Sequence, residues 1–553
     1  MQRFALLLVA LGVLLACAHP AATPQATAAP RPSPTEAGGW LRGPDGRPLF
    51  LVGASYQGPA DRAWRGDYWA WWADDRFDLA LVAADFDRAA AAGLNSLRIF
   101  VQLELLRDIR KDVWWKLDAV VELASQRNLG LIVVFGDYDE TRVERVARTS
   151  ASIATRYAGN PTILAYELRN EPDFWVLQSA RYPDERHPPL QSKQLVEAYG
   201  ERAARHYTDA FRQTPEGKRG RLAIPGWFSD DETYYWHNNW LLSYALAQEA
   251  SAWASANGRA DVDFYAAPEA AHWAGFLAAV DATYAAWLEP QLRLIREADP
   301  SKPITVGHHD ALLASLPANR QLDFITWHSY PPAGPSGHRV YTDTTHALRA
   351  LYPDTPVLLG EFGYRATDRD ERTVAIDEAA VLLRLYADGF AGGLKWMLTD
   401  TRDGTDSMGA FRLDGTARPI TAATRALAAL TRTPPVPGAS LEVQEDGRDG
   451  LCYAFRAERA VFAGGTCPAT REVGLRAAGP AQVFMTVAGD GAIAVSTTEA
   501  GRVALPLAVF GLGGRRSSLL LELPGGSSRR LTASDGQRVE FDVRPDSVYR
   551  VKK

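Results

Sequence analysis

Apolar positions along this 553-residue chain fall into two rhythms. Short runs rich in aliphatic residues stand at 49–55, 95–101, 129–135, 163–168, 304–307, 324–327, 357–359 and 393–397. Each reads as a strand buried on both faces. Between runs, apolar residues recur every three or four positions, the spacing of one helical face. Asp78 stands where it can cap such a helix, Leu79, Val82 and Phe86 form its stripe, and Gly93 ends it. Further helical stretches lie around 114–126, 143–157 and 421–430. Eight strand–helix units predict an α/β fold, a closed (β/α)8 TIM barrel. An open doubly wound sheet is the competing architecture, but no Gly-rich phosphate loop follows the first strand.

The pattern breaks in four places. Residues 18–39 are rich in Ala, Pro and Thr and read as a disordered tether, with folded sequence starting near Trp40 and a tight turn at Pro44-Asp45-Gly46. After strand one, 56–77 is oversized and holds Trp64, Tyr68, Trp69, Trp71 and Trp72. After strand four comes an insertion at about 173–267, with helices expected near 193–211 and 240–256. Connections after barrel strands lie on the catalytic face, so both insertions are expected to wall a cleft; the alternative for the longer one is a packing or dimer element. The barrel thus spans 40–432. A Pro-rich linker at 433–439 leads to 440–553, where short alternating strands are punctuated by Gly-Asp-Gly, Pro-Gly-Gly and Asp-Gly turns. That stretch predicts a C-terminal β-sandwich accessory domain.

A net charge of -6 argues against a nucleic-acid partner. The 16 Trp and 20 Tyr suit stacking on sugar rings, and equally suit a large barrel core. No Cys/His cluster has ligand spacing, so no metal site is expected. Nothing in the sequence sets the oligomeric state. Residues 1–17 read as a targeting segment: Arg3, then an apolar run from Phe4 to Ala16. Leu14-Leu15-Ala16-Cys17 resembles a bacterial lipobox, which implies lipidation of Cys17 and an extracytoplasmic protein anchored to a bacterial membrane. Export permits a disulfide between the two other cysteines, Cys452 and Cys467, which suit one hairpin.

Candidate chemistry sits at two strand ends. Strand four runs into Asn170-Glu171-Pro172, and strand seven into Gly360-Glu361-Phe362. In a closed eight-stranded barrel these strands face each other across the mouth. Two opposed carboxylates are what glycoside hydrolysis needs, one to protonate the leaving oxygen and one to attack or to activate water. A glutamate after a strand is also a common salt-bridge partner; the order and placement of the pair favour catalysis. Glu167, deeper in strand four, reads as a structural hydrogen-bond partner, and His308, His309 and Asp310 as candidates for substrate contact.

The barrel resembles clan A glycoside hydrolases, most closely family 5, the cellulase and mannanase family. The motifs are Asn95-Ser96-Leu97-Arg98-Ile99, Asn170-Glu171-Pro172, His328-Ser329-Tyr330, Glu361 and Trp396. The resemblance implies a retaining reaction without a cofactor, with Glu171 as acid/base and Glu361 as nucleophile. It also implies that Arg98 braces the nucleophile, Asn170 holds a sugar hydroxyl, His328 lies near the acid/base, Tyr330 bonds the nucleophile and Trp396 is a sugar platform. The chain departs from the family at strand three, which ends in Asp137-Tyr138 instead of a His, and after strand one, where the usual Asn is absent. The implied substrate is a β-linked polysaccharide or oligosaccharide of β-mannan or β-1,4-glucan type. Two other readings use the same residues: a non-catalytic glycan-binding surface lipoprotein, and a transglycosylase remodelling exopolysaccharide.

Overall fold

All eight apolar runs form strands: β1 (Leu51–Tyr56), β2 (Ser96–Phe100), β3 (Gly130–Val134), β4 (Ile163–Asn170), β5 (Ile304–His308), β6 (Ile325–His328), β7 (Val357–Phe362) and β8 (Gly392–Lys395). They close into a parallel barrel in the order β8-β1-β2-β3-β4-β5-β6-β7, as expected. The structure, a computed structural model, describes residues 40–552 except 44, 60–70, 137–141, 173–176, 178–233, 332–334, 368, 402–406, 432–438, 447–449, 458–459, 465–475, 478–482, 488–492, 499, 507–517, 533–537 and 546. Outside the described residues lie the 1–17 segment with Cys17, the tether, Trp64, Tyr68, Trp69, Asp137, most of the 173–267 insertion, most of the linker and Cys467; the Cys452 side chain is likewise not described. Among the described residues no helix is long and apolar enough to cross a membrane.

The helices form where the sequence places them. Asp78 Oδ1 accepts from the backbone N–H groups of Ala80 and Leu81 at 3.0 and 3.3 Å, starting the helix Leu79–Ala91. Gly93, with φ +75°, ends the segment, and a side chain there would strike the backbone of Arg425. That close approach lets the last barrel helix, Ile420–Leu430, seal against the first, with Thr424 Oγ1 donating to Ala92 O at 2.7 Å. Within the insertion, the expected 240–256 helix is longer, Tyr234–Asn257.

The barrel lumen is layered. Its lower part is an apolar plug of Leu51, Ile132, Leu164, Ala165, Phe324, Leu358 and Leu394, capped by Leu41 from a short hairpin. A buried polar layer of Ser55, Arg98, Glu167, Thr305 and Thr326 lies over the plug. Above it, at the C-terminal rim, Phe100, Val134, Trp396, Met397 and Met408 cluster. Outward-facing strand residues such as Val52, Leu97, Leu131 and Leu359 pack under the helices. Trp71 and Trp72 were expected on a cleft wall, yet both are fully buried, and Trp72 Nε1 donates to Phe100 O at 2.8 Å. They prop the strand-two rim from behind.

Among the described residues, the C-terminal stretch forms two antiparallel sheets, one of eight strands and one of three. Val495, Leu519, Leu521 and Val551 of the larger sheet face Val503, Leu505, Val539 and Phe541 of the smaller across one core, the expected sandwich. Ala494 and Val548 reach into the barrel's own core cluster, so the two units share apolar contact.

Candidate active site

The polar layer is organised by one guanidinium. Arg98 points inward from the middle of β2 and is fully buried. Its Nε and Nη2 donate to the two oxygens of Glu167 at 2.8 and 2.5 Å. Nη2 also donates to Asn170 Oδ1 at 2.5 Å, while Nη1 donates to Glu361 Oε1 at 2.5 Å and, more weakly, to Ser55 Oγ at 3.4 Å. All five guanidinium hydrogens thus have acceptors, and these come from three other strands. The planar fork cannot rotate without breaking several charge-assisted bonds, so it fixes β1, β2, β4 and β7 against one another. Glu167, expected as a structural hydrogen-bond partner, is the bidentate half of this lock. Asn170 spends its carbonyl oxygen on Arg98, which leaves its amide nitrogen as the group able to donate into the cleft.

Two irregularities bring these residues inward. Strict alternation from Glu167 would turn Asn170 away from the lumen, and alternation from Leu358 would turn Glu361 away. The pairing register shifts between Glu167 and Asn170 on β4, and again beside β7 between Trp327 and His328. These bulges re-aim the last residues of both strands. Glu171 follows with φ +44°, a left-handed conformation unusual for a residue with a side chain, and its N–H is tied to Gly307 O at 2.8 Å.

Both oxygens of Glu361 accept: Oε1 from Arg98 and Oε2 from the Tyr330 hydroxyl at 2.5 Å. Its side chain is only 4% exposed, whereas that of Glu171 is 31% exposed. Burial pushes the Glu361 carboxyl above its ordinary pKa, with Arg98 and Tyr330 among the groups that oppose the shift. Two donors on one carboxyl favour its ionised form over its protonated one and so oppose the effect of burial. Tyr330 as a whole is 43% exposed, but at its hydroxyl end burial, with the Glu361 charge next, raises the pKa well above the usual tyrosine value, so the hydroxyl stays a donor.

His328 ends β6 and joins the two carboxylates. Its Nδ1 is 2.9 Å from Glu171 Oε1 and 3.6 Å from Glu361 Oε1. Burial lowers its pKa to about 4, so the ring is neutral at ordinary pH. Gly307 and Gly360 flank the ring: a methyl group on either would come within 3.0 Å of it. One ligand atom each from Glu171, His328 and Glu361 lies within 4.8 Å of the others. Three carboxyl groups, Glu167, Glu171 and Glu361, thus stand around one guanidinium and one neutral imidazole.

Trp396 follows β8, is 9% exposed, and meets Phe100 edge-on at 6.3 Å. The loop behind it is braced by Arg418, whose two Nη groups donate to Asp400 at 2.6 and 2.7 Å, and by the buried Lys395–Glu378 pair. Among the other candidates, His308 turns away from the cleft. It is fully buried between the Tyr284 hydroxyl at 3.0 Å and Thr326 O at 3.1 Å. Asp310 caps a short helix, accepting from Leu312 and Leu313, and His309 is exposed. Hydropathy patterning alone does not single out Gln57 and Gln102, which β1 and β2 carry to the rim.

No family model and no curated protein matches the chain. Solved structures do. One is GH5_18 from Streptomyces cattleya in complex with Manβ1-4GlcNAc, at 16% identity over 70% of this chain and 83% of that one, with a TM-score of 0.43. Another is an exo-β-1,4-mannosidase from Opitutaceae bacterium strain TAV5, at 16% identity over 73% of this chain and 63% of that one, also with a TM-score of 0.43. A third is an endo-1,4-β-mannanase from Rhizomucor miehei, at 13% identity over 70% of this chain and 96% of that one, with a TM-score of 0.38. At these identities and scores the likenesses carry nothing about chemistry, and the barrel stands on its own closed strand order.

Proposed function

We propose that the protein is a retaining β-glycosidase that hydrolyses a β-linked glycan of β-mannan or β-1,4-glucan type. One observation carries this reading: two carboxylates meet at the rim, oxygens within 4.8 Å, in opposite environments. Glu361 is buried and held by two donors; Glu171 is partly exposed and touches His328. So short a separation suits direct attack by one carboxylate and leaves little room for a water between them, the geometry of retention.

Glu361 attacks the anomeric carbon while Glu171 gives its proton to the glycosidic oxygen. The C–O bond to the leaving group breaks and a glycosyl–Glu361 ester forms. Glu171, now ionised, takes a proton from water, the water oxygen attacks the anomeric carbon, and Glu361 leaves as a carboxylate. Arg98 and Tyr330 stabilise that carboxylate at both ends of the cycle. The excess of carboxyl groups over cations in the pocket favours the cationic character of each transition state. Asn170 donates to a sugar hydroxyl, and Trp396, largely buried at the rim, meets the ring. The lipobox-like segment ending at Cys17 supports an extracytoplasmic enzyme held by a lipid anchor as part of this proposal.

The two glutamates should fail differently. Glu361→Ala should lower turnover of every substrate by about four orders of magnitude or more, since no ester can form. Glu171→Ala should retain the first step on an aryl glycoside with a good leaving group, and azide should restore turnover with a product of retained configuration. An inverted anomer seen by NMR, or equal behaviour of the two variants, would overturn the mechanism.

A further inference from the structure

The mechanism leaves two side chains at the rim unused. Along β1, Val52, Ala54 and Tyr56 pack outward under the helices, and Ser55 turns in to Arg98. Along β2, Leu97, Ile99 and Val101 pack outward, and Arg98 and Phe100 turn in. Carried past the strand ends at Tyr56 and Phe100, the same alternation assigns Gln57 and Gln102 to the inward set, above Ser55 and Phe100. Tyr56 lies beside Ile99 in the register, so the two glutamines stand on adjacent strands of one rim.

Both amides are buried, with Gln57 7% and Gln102 3% exposed. Among the described residues, neither the nitrogen nor the oxygen of either amide has a hydrogen-bond partner. Gln102 occupies the capping position of the helix Leu103–Ile109, yet its side chain makes no capping bond. The next residue after Gln57 fixes where the chain turns: Gly58 has φ +103°, and any side chain there would collide with Trp71.

Burying an amide without partners destabilises a fold, and leucine would fit the same volume without that cost. One such residue could be an accident of packing. Two on neighbouring strands, at the rim that carries the carboxylates, are accounted for by a ligand that completes them. The strand order puts β8, β1 and β2 on one side of the line from Glu171 to Glu361, and β5 and β6 on the other. Gln57 and Gln102 therefore share the Trp396 side of the cleft. Each amide offers a donor and an acceptor, the complement of a sugar hydroxyl, which both accepts and donates.

We propose that Gln57 and Gln102 form a hydroxyl-recognition subsite for the sugar unit lying against Trp396, an inference that rests on the glycosidase reading. They bind substrate and take no part in bond making.

Gln57→Leu and Gln102→Leu test this in the full-length protein, with β-1,4-manno- and cello-oligosaccharides as probes. Each variant should lower kcat/KM at least about tenfold on the oligosaccharide the parent cleaves best, the effect of losing a hydrogen bond to a buried partner. The thermal midpoint should hold or rise, since the fold sheds an unsatisfied amide. An unchanged kcat/KM would mean that the amides meet only water, and would overturn the proposal. So would a midpoint that falls together with activity, which would make the glutamines structural. The underlying reading fails separately: a parent that neither cleaves nor binds any oligosaccharide of the panel sinks both, whereas an active parent with unaffected glutamine variants sinks the subsite alone.

Discussion

The lower and upper halves of the barrel lumen are built from the same eight strands by opposite rules. Below, Leu51, Ile132, Leu358 and Leu394 fill the space with carbon, and nothing is left to satisfy. Above, one guanidinium spends all its hydrogens on Glu167, Asn170, Glu361 and Ser55, and two amides beside it have no partner among the described residues. The plug stabilises by removing apolar surface from water, and tolerates change in proportion to volume. The polar layer is stable only as a set, because removing one partner leaves a buried charge or polar group unpaired. The candidate chemistry is thus confined to a layer that is costly to hold, resting on one that is not.

This contrast is sharpest in a matched pair of truncations. Arg98→Met keeps much of the side-chain volume but leaves Glu167 and Glu361 facing each other without a cation. It should cost about 3–5 kcal/mol in stability and abolish turnover. Ile132→Ala, one layer down, should cost about 2–5 kcal/mol through its cavity, with kcat/KM nearly unchanged in the fraction that stays folded. Urea unfolding beside initial rates gives both numbers. If Ile132→Ala removed activity as completely as Arg98→Met, the two layers would not be separable.

A smaller effect comes from the buried histidines. Burial lowers His308 to about 3 and His328 to about 4, from an ordinary 6.5. Below pH 6.5 the unfolded chain takes up protons that the folded rings refuse. Stability is therefore full above that pH and is lost as the pH falls toward the lowered values. Each ring contributes up to about 3 kcal/mol to this loss by pH 4. His308→Gln, away from the carboxylates, should flatten the decline in unfolding free energy between pH 6.5 and 4.5. An acid limb as steep as the parent's would show that His308 is protonated in the folded state.

Much of this organisation was readable in the sequence, and the reasons it stopped are physical. Strands buried on both faces leave continuous apolar runs, so all eight were visible. Glu171 and Glu361 stood out because they end two such runs in opposed positions. The bulges were not visible: a register shift leaves no mark in hydropathy, yet it is what turns Asn170 and Glu361 into the lumen. Trp71 and Trp72 misled, because a tryptophan in a rim loop props a strand as readily as it binds a sugar. Gln57 and Gln102 were missed because a glutamine after a strand reads as the start of a loop. Extending the inward alternation past the apolar runs, from Ser55 to Gln57 and from Phe100 to Gln102, is the signal that finds them.

The smallest expected effect lies at the boundary between the layers. Ser55 is the inward residue of β1 directly beside Arg98 in the register. Its hydroxyl accepts from Nη1 at 3.4 Å, while the same nitrogen reaches Glu361 at 2.5 Å. The longer contact is at the edge of a useful hydrogen bond, and the hydrogen it uses is not the one aimed at Glu361. Ser55→Ala removes an acceptor without adding volume, so Arg98 keeps both carboxylates and Asn170. The stability loss should be about 0.5–1 kcal/mol, and kcat/KM should change by less than about threefold. A much larger loss of activity at unchanged stability would make Ser55 part of the grip on Glu361. A stability loss near that of Arg98→Met would mean that the polar layer begins one strand earlier, and that the guanidinium is held chiefly from β1.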